Sequence, residues 1–287
     1  MRPAAVSVLL VLVWLTAGCA PDAPPPPAPP APRPPEPALP PLTEIAFPEW
    51  ADVDDEKPVE LPGLAWPQEP LRWDFGPGRR LAYAFSQTLD QRVAAVAAGV
   101  PTENRSRDRN RGTFEFVGTR DKSAKAYILI ETQEAVRNGV AASPEEIKKN
   151  TPSKFECTVH EDGQAETKKL AGRSDAQFFF DTILALGEGE KAVKDGTVRT
   201  RRAGSYKVGR HECLRLETEF ELAPETASGQ TRMRGRTIAY WAPKERLFVR
   251  SATAVATTTR QNALNANIGW ITNSLDAKTV FRLKLLE

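Results

Sequence analysis

The sequence predicts a mainly β protein, a curved antiparallel sheet in the form of an open half-barrel packed around one apolar helix. Three observations carry this. Apolar residues recur at every second position over most of the chain after Leu71. Short Gly-, Pro- and Asp-bearing turns punctuate these runs. A single stretch, 178–186, is apolar nearly all round and follows a helix-capping pattern. Strict alternation makes a strand with one buried and one wet face, which belongs to antiparallel sheets.

The strands can be taken in order. Leu81, Tyr83, Phe85 and Leu89 alternate with small or polar residues, and Phe114 and Phe116 repeat the pattern. Phe155, Cys157 and Val159 form a third run. The clearest is Leu214, Leu216, Thr218, Phe220 and Leu222, interleaved with Arg215, Glu217, Glu219 and Glu221. Ile238 and Tyr240 follow, then Leu247, Val249, Ser251, Thr253 and Val255, and finally Phe281, Leu283 and Leu285. Turns are expected at Arg120–Ser123, at Asp162-Gly163 and at Ala242–Glu245, the last joining strands 237–241 and 246–257.

Two helices interrupt the strands. Ser174-Asp175-Ala176-Gln177 is a capping box opening a helix that runs to Leu186 and stops at Gly187. Its apolar circumference predicts burial. Ser143-Pro144-Glu145-Glu146 opens a shorter helix that must end before Pro152. Gly78-Arg79 and Gly209-Arg210 both open long alternating runs, so residues 71–287 read as one β-rich domain, either two similar halves, about 71–190 and 191–287, or a single meander whose hairpins echo one another.

Ahead of that domain lie three segments without a strand pattern. Arg2 and the apolar run Ala4–Leu15 form an export signal over residues 1–18, too short to span a bilayer. It ends in Leu15-Thr16-Ala17-Gly18-Cys19. In residues 21–41, 13 of 21 positions are proline, so residues 19–42 read as a polyproline II tether. Residues 43–70 remain Pro-punctuated and extended, with Phe47, Trp50 and Trp66 available to dock them on the domain.

These residues carry a resemblance. Leu15–Cys19 resembles the lipobox of exported bacterial lipoproteins, although Thr16 stands where that family has an aliphatic residue. The resemblance implies diacylglycerol on the Cys19 thiol and anchoring by acyl chains. Ala20, rather than Asp, follows the cysteine, which by family analogy implies the outer membrane of the cell envelope. The body, through Gly78–Leu89, Asp175–Leu186 and Gly235–Val255, resembles a poorly characterised β-rich group of such lipoproteins. More distantly, its architecture is similar to the open half-barrel lipoprotein carriers of the LolA/LolB type, which implies an acyl-binding sheet around a buried helix.

Several side-chain groups are candidates for chemistry. Cys157 and Cys213 read either as a disulfide, as suits an exported protein, or as two separate buried thiols. Cys213 shares strand parity with Arg215 and Glu217, which a bulge near Gly209 would reconcile with a bridge. His160 and His211 lie near these cysteines, but Cys157 and His160 point to opposite strand faces, so no metal site is expected. Arg105, Arg107, Arg109 and Arg111 occupy every second position of Asn104–Gly112. That segment reads as a solvated loop with Asp108 offsetting charge. Were it a strand, the arginines would form a cationic stripe able to hold anionic groups. Phe178, Phe179, Phe180, Ile183, Leu184 and Leu186 read as core, or as the lining of an apolar cavity if one of ~300 Å³ or more lies beside them.

Lysine and arginine total 39 against 37 acids, and there are only two histidines. This near-neutral balance argues against a nucleic-acid binder. No nucleophile elbow, zinc-protease or phosphate-loop spacing occurs, so neither catalysis nor a cofactor is expected. The expected role is a lipid-anchored envelope protein that binds an apolar or acylated ligand. The alternatives are an interaction module presented on a stalk to a protein partner, or an enzyme whose site assembles only in space.

Overall fold

A computed structural model describes residues 35–42, 44–51, 58–149, 153–166, 175–193, 195–226, 229–265 and 269–286. The export signal, Cys19 and the proline run up to Pro34 lie outside the described residues, as do Ser174 and the side chain of Phe178.

The strands, in chain order, are β1 (Val59–Glu60), β2 (Arg80–Ala97), β3 (Val100–Gly118), β4 (Ser123–Arg137), β5 (Val140–Ala141), β6 (Ser153–His160) and β7 (Ala165–Glu166), followed by β8 (Gly189–Val193), β9 (Gly196–Val208), β10 (His211–Leu222), β11 (Glu225–Thr226), β12 (Gly229–Ala242), β13 (Leu247–Asn265) and β14 (Gly269–Leu286). Helix α1 spans Pro144–Lys149 and α2 spans Asp175–Thr182. All the strands join one open antiparallel sheet in the order β1-β9-β10-β12-β13-β14-β2-β3-β4-β6-β7, with β8, β11 and β5 as short additions on β9, β12 and β4. The C-terminal strand thus sits mid-sheet, pairing with β2 from Ile271↔Ala97 to Leu286↔Ala82.

The hairpins follow from local chemistry. Ala98 (φ 49°) and Gly99 (φ 80°) turn β2 into β3, and Asn138 (φ 49°) and Gly139 (φ 83°) turn β4 into β5. Two successive left-handed residues match the twist of the flanking strands, and glycine adopts that conformation without a Cβ penalty. The turns expected at 120–123, 162–163 and 242–245 are present, at 120–122, 161–163 and 243–246. α1 carries its capping box: Ser143 donates its N–H to Glu146 Oε2 at 2.8 Å, and the Glu146 N–H donates to Ser143 Oγ at 3.3 Å.

The core lies between α2 and one face of the sheet, here called the helix face. Trp73 is fully buried and packs its ring on Phe75, Phe116, Trp241 and Phe248 at centroid distances of 5.1–5.5 Å. Such aromatic pairs add about 0.5–1.5 kcal/mol each beyond the area they bury. Phe179 and Phe180 continue this cluster onto Phe114 and Phe116.

α2 is shorter than its apolar run predicts, ending at Thr182 rather than Leu186. The Ile183 and Leu184 N–H groups both donate to the Phe179 carbonyl. The Thr182 carbonyl accepts from Thr237 Oγ1 at 2.9 Å, and the Ile183 carbonyl from Ser251 Oγ at 3.1 Å. Sheet hydroxyls thus satisfy carbonyls that another helical turn would otherwise have used.

The opposite, outer face is not wet throughout, as alternation alone would have it. Ile238, Tyr240, Thr258, Arg260 and Asn262 are buried there. The reason is the N-terminal segment, which lies across them. Asn262 donates to Glu36 Oε1 and to the Pro37 carbonyl, Arg234 to the Ile45 carbonyl and Arg236 to the Pro48 carbonyl. Phe47 lies beneath both Arg234 and Arg236 at 5.3 and 5.4 Å, and Trp50 lies beneath Arg236 at 5.1 Å. The chain then joins the sheet edge as β1 on β9 and packs Trp66 and Trp73 against the core.

Cys157 and Cys213 form no disulfide. Both are free and buried. They sit on β6 and β10, strands separated in the sheet by β4, β3, β2, β14, β13 and β12. The parity of Cys213 is explained by burial on both faces of β10, where Cys213 and Leu214 are equally inaccessible. The bulge that shifts register lies opposite Leu214–Leu216, between Arg202 and Ser205 on β9, and not at Gly209.

Candidate functional site

The segment Asn104–Gly112 is strand and not loop. Every residue from Val100 to Val117 pairs with β2, and β4 pairs on its other side from Ser106 onward. Polar composition hides this because neither face here needs apolar side chains. The four arginines therefore share the outer face. Cross-strand register places Arg105 opposite Arg92, Arg107 opposite Asp90 and Arg109 opposite Thr88.

Acids on neighbouring strands meet most of them. Arg107 Nε donates to Asp90 at 2.5 Å, Arg92 to Glu103 at 2.7 Å and Arg105 Nε to Glu103 at 3.0 Å, while Arg109 lies 3.2 Å from Glu134. The hydrogen bond from Arg92, seconded by that from Arg105, holds the Glu103 carboxyl below its ordinary range. The bond to Asp90 raises the Arg107 guanidinium above its own. These arginine side chains are half or more exposed. Exposed pairs of this kind are worth about 0–1 kcal/mol each, so an incoming anion can exchange with their carboxylates.

Between this stripe and the N-terminal segment lies an open groove of about 780 Å³. Arg92, Arg105, Arg107 and Lys278 line it with the acids Asp90, Glu134 and Asp276, and Ile45, Val136 and Ala256 add apolar surface. Lys278 has no carboxylate partner among the described residues. The structure therefore brings Arg105 and Arg107 to the groove, while Arg109 and Arg111 lie along the same strand beyond its lining. Lys278 and Arg92 were not singled out by sequence, because they join the stripe only through the β14–β2 and β2–β3 pairings.

The helix residues occupy a different place. Phe180, Ile183 and Leu184 are fully packed, with Phe179 and Leu186 partly buried against the same cluster. They face the sheet on the side away from the groove. His160 lies 3.4 Å from Glu166, and the buried His211 lies 3.2 Å from Glu245. Among the described residues no three metal-ligating side chains converge. No described helix is long and apolar enough to cross a membrane. Burial pushes both thiols, Cys157 and Cys213, up to about 12.

No family model matches the chain, and no curated protein matches it. Among solved structures it is similar to lipovitellin, from a study of lipid–protein interactions. The TM-score is 0.41 and the identity 6%, over 74% of this chain and 25% of that one. It is also similar to a domain from Vibrio parahaemolyticus described as an outer membrane lipoprotein-sorting protein. There the TM-score is 0.14 and the identity 8%, over 67% of this chain and 83% of the other. The chain spans a quarter of the lipovitellin chain it matches. The functional reading therefore rests on this chain's own groove.

Proposed function

We propose that the protein is a lipid-anchored protein of the cell envelope, held to the outer membrane through Cys19, that acts by binding an acylated, anionic ligand. The observation that carries this is Lys278, which stands opposite Asp90 but makes no ion pair among the described residues, in a groove that also holds Arg92, Arg105 and Arg107 beside apolar Ile45 and Val136. A carboxylate or phosphate would gain charge-assisted hydrogen bonds from the cations. An acyl chain would cover the apolar wall, at about 0.8 kcal/mol per methylene buried. The packed aromatic core beneath α2 directs the ligand to the outer face and away from the helix.

The test is titration of the mature chain with a fluorescent fatty acid and with a lysophospholipid. The double variant Lys278→Glu, Arg107→Glu is expected to weaken binding tenfold or more. Phe179→Leu, on the other face, is expected to leave it unchanged. Unaltered affinity in the charge-reversal variant, with Phe179→Leu weakening it, would move the site to the helix.

A further inference from the structure

We infer that the sheet end formed by the β2–β3 and β13–β14 hairpins faces and touches the lipid bilayer to which the chain is tethered. This rests on the proposed anchoring through Cys19. The first observation is where the tether arrives. Glu36 and Pro37 are fixed on Asn262, three residues before the end of β13. Between Cys19 and Glu36 there are 17 steps of chain. At ~3.1 Å each in polyproline II the tether reaches roughly 53 Å, and full extension at ~3.5 Å each sets about 60 Å as the greatest distance of this end from the anchor and no least one. The opposite end, with the turns at 120–122 and 243–246, lies a further strand length away.

The second observation is what this end exposes. Large apolar side chains exposed among the described residues number seven, and Val96, Val100 and Leu264 are three of them. Val100 is 62% exposed at the β2–β3 turn, and Val96 and Leu264 are 45% and 43% exposed on the outer face beside the arriving tether. Gathered at one end, they form a surface that water does not favour. The turns at the other end present Arg120, Asp121, Lys122, Lys244 and Glu245, with Val59 and Leu286 the exposed apolar side chains on the strands near it.

The third observation is the charge behind the tips. Arg92 stands four residues before Val96 and Arg105 five residues after Val100, which is ~13 and ~17 Å along a strand. With the valines below the headgroup layer, these long side chains extend back toward the lipid phosphates, which guanidinium groups bind bidentately. Each contact is weak alone, but the tether makes them intramolecular and so raises their effective concentration. The groove then opens beside the lipid surface, where an acylated ligand would enter from or leave to the membrane.

The experiment separates this from both earlier proposals. The mature chain, Cys19→Ser behind a hexahistidine tag, is held on vesicles of phosphatidylethanolamine, phosphatidylglycerol and a nickel-chelating lipid, so that tethering no longer depends on acylation. An environment-sensitive dye is placed on Val100→Cys, on Leu264→Cys or on Lys244→Cys. The two native thiols are buried and stay unlabelled. Lipids spin-labelled in the acyl region are expected to quench the dye at residues 100 and 264 at least twofold more than at residue 244. Equal quenching at both ends, or more at residue 244, overturns the orientation, and leaves a protein partner for the exposed valines. Fatty-acid binding without vesicles and the intact mass of the exported protein report the groove and the acylation independently.

Discussion

The side-chain amide of Asn262 donates to the carbonyl oxygen of Pro37 at 2.7 Å, joining positions 225 residues apart. Asn262 is buried, and its own carbonyl oxygen accepts from Thr272 Oγ1 at 2.9 Å. It therefore connects the arriving N-terminal segment to the β13–β14 hairpin. Asn262→Ala is expected to release residues 36–42 and to cost about 1–2 kcal/mol, since the buried amide and its partly exposed partners lose three hydrogen bonds. In a Cys19→Ser background, a spin label on the exposed Ala38→Cys should become more mobile in the variant. Unchanged mobility would show that Phe47 and Trp50 suffice to hold the segment.

Thr237 holds α2 to the sheet. Its hydroxyl meets the Thr182 carbonyl at 2.9 Å and Thr253 Oγ1 at 2.8 Å, all buried. Thr237→Val keeps the volume and removes the hydroxyl, leaving a buried carbonyl unsatisfied. The expected loss is about 1–3 kcal/mol in urea unfolding, with the m-value unchanged. Thr237→Ser should recover most of it.

Gly235 on β12 lies against the ring of Phe220 across the strand pair. A Cβ at this position would overlap that fully buried ring. Gly235→Ala is expected to destabilise by about 1–3 kcal/mol through overpacking. Adding Phe220→Leu should restore part of the loss, since it removes the obstructing atoms. A double-mutant cycle measures the coupling, and strict additivity would locate the strain elsewhere.

The two thiols make stability fall in alkali. Burial raises both from an ordinary value of 9 to about 12. The folded state therefore keeps protons that the unfolded state gives up. Their contribution is complete below pH 9 and is lost as the pH rises from 9 toward 12. Cys157→Ala with Cys213→Ala should flatten the stability profile in that window. In a Cys19→Ser background, native protein at pH 8 should resist iodoacetamide, and unfolded protein without reductant should take up two equivalents.

Glu217 is 7% exposed and receives Arg201 at 2.6 Å and Arg215 at 2.5 Å. Glu217→Gln leaves two cations around a neutral amide. Because the Arg201 side chain is 70% exposed, water screens much of this, and a loss of about 1 kcal/mol is expected. High salt should shrink the difference between variant and parent, whereas a salt-independent loss would point to packing.

How much was legible in the chain can be seen strand by strand. In Leu214–Leu222 the apolar period is strict and every side chain it names is buried, with Glu217 buried from the opposite face as well. Leu81, Tyr83, Phe85, Phe114 and Phe116 behave likewise. Asn104–Gly112 was illegible as strand because its pairing is satisfied by backbone bonds, and its side chains are polar on both faces. Trp73, at the centre of the core, stands in the short alternation Leu71-Arg72-Trp73-Asp74-Phe75, and the structure places that segment outside any strand, so its period did not reveal where the ring packs. The groove was legible only as an arginine spacing. Lys278, Arg92 and Asp90 come from segments whose adjacency no local pattern encodes.

The sequence alone determined the β class, the open antiparallel character, the capping of α1 and the apolar nature of α2. These depend on the two- and 3.6-residue periods and on turn residues, which are properties of neighbours in the chain. Only the tertiary structure decided that β14 pairs with β2, that the N-terminal segment buries part of the outer face, that Cys157 and Cys213 stay apart, and that α2 stops where Thr237 and Ser251 take its carbonyls. Each is a choice among partners distant in sequence, set by packing and hydrogen-bond satisfaction over the whole sheet and not by any local preference.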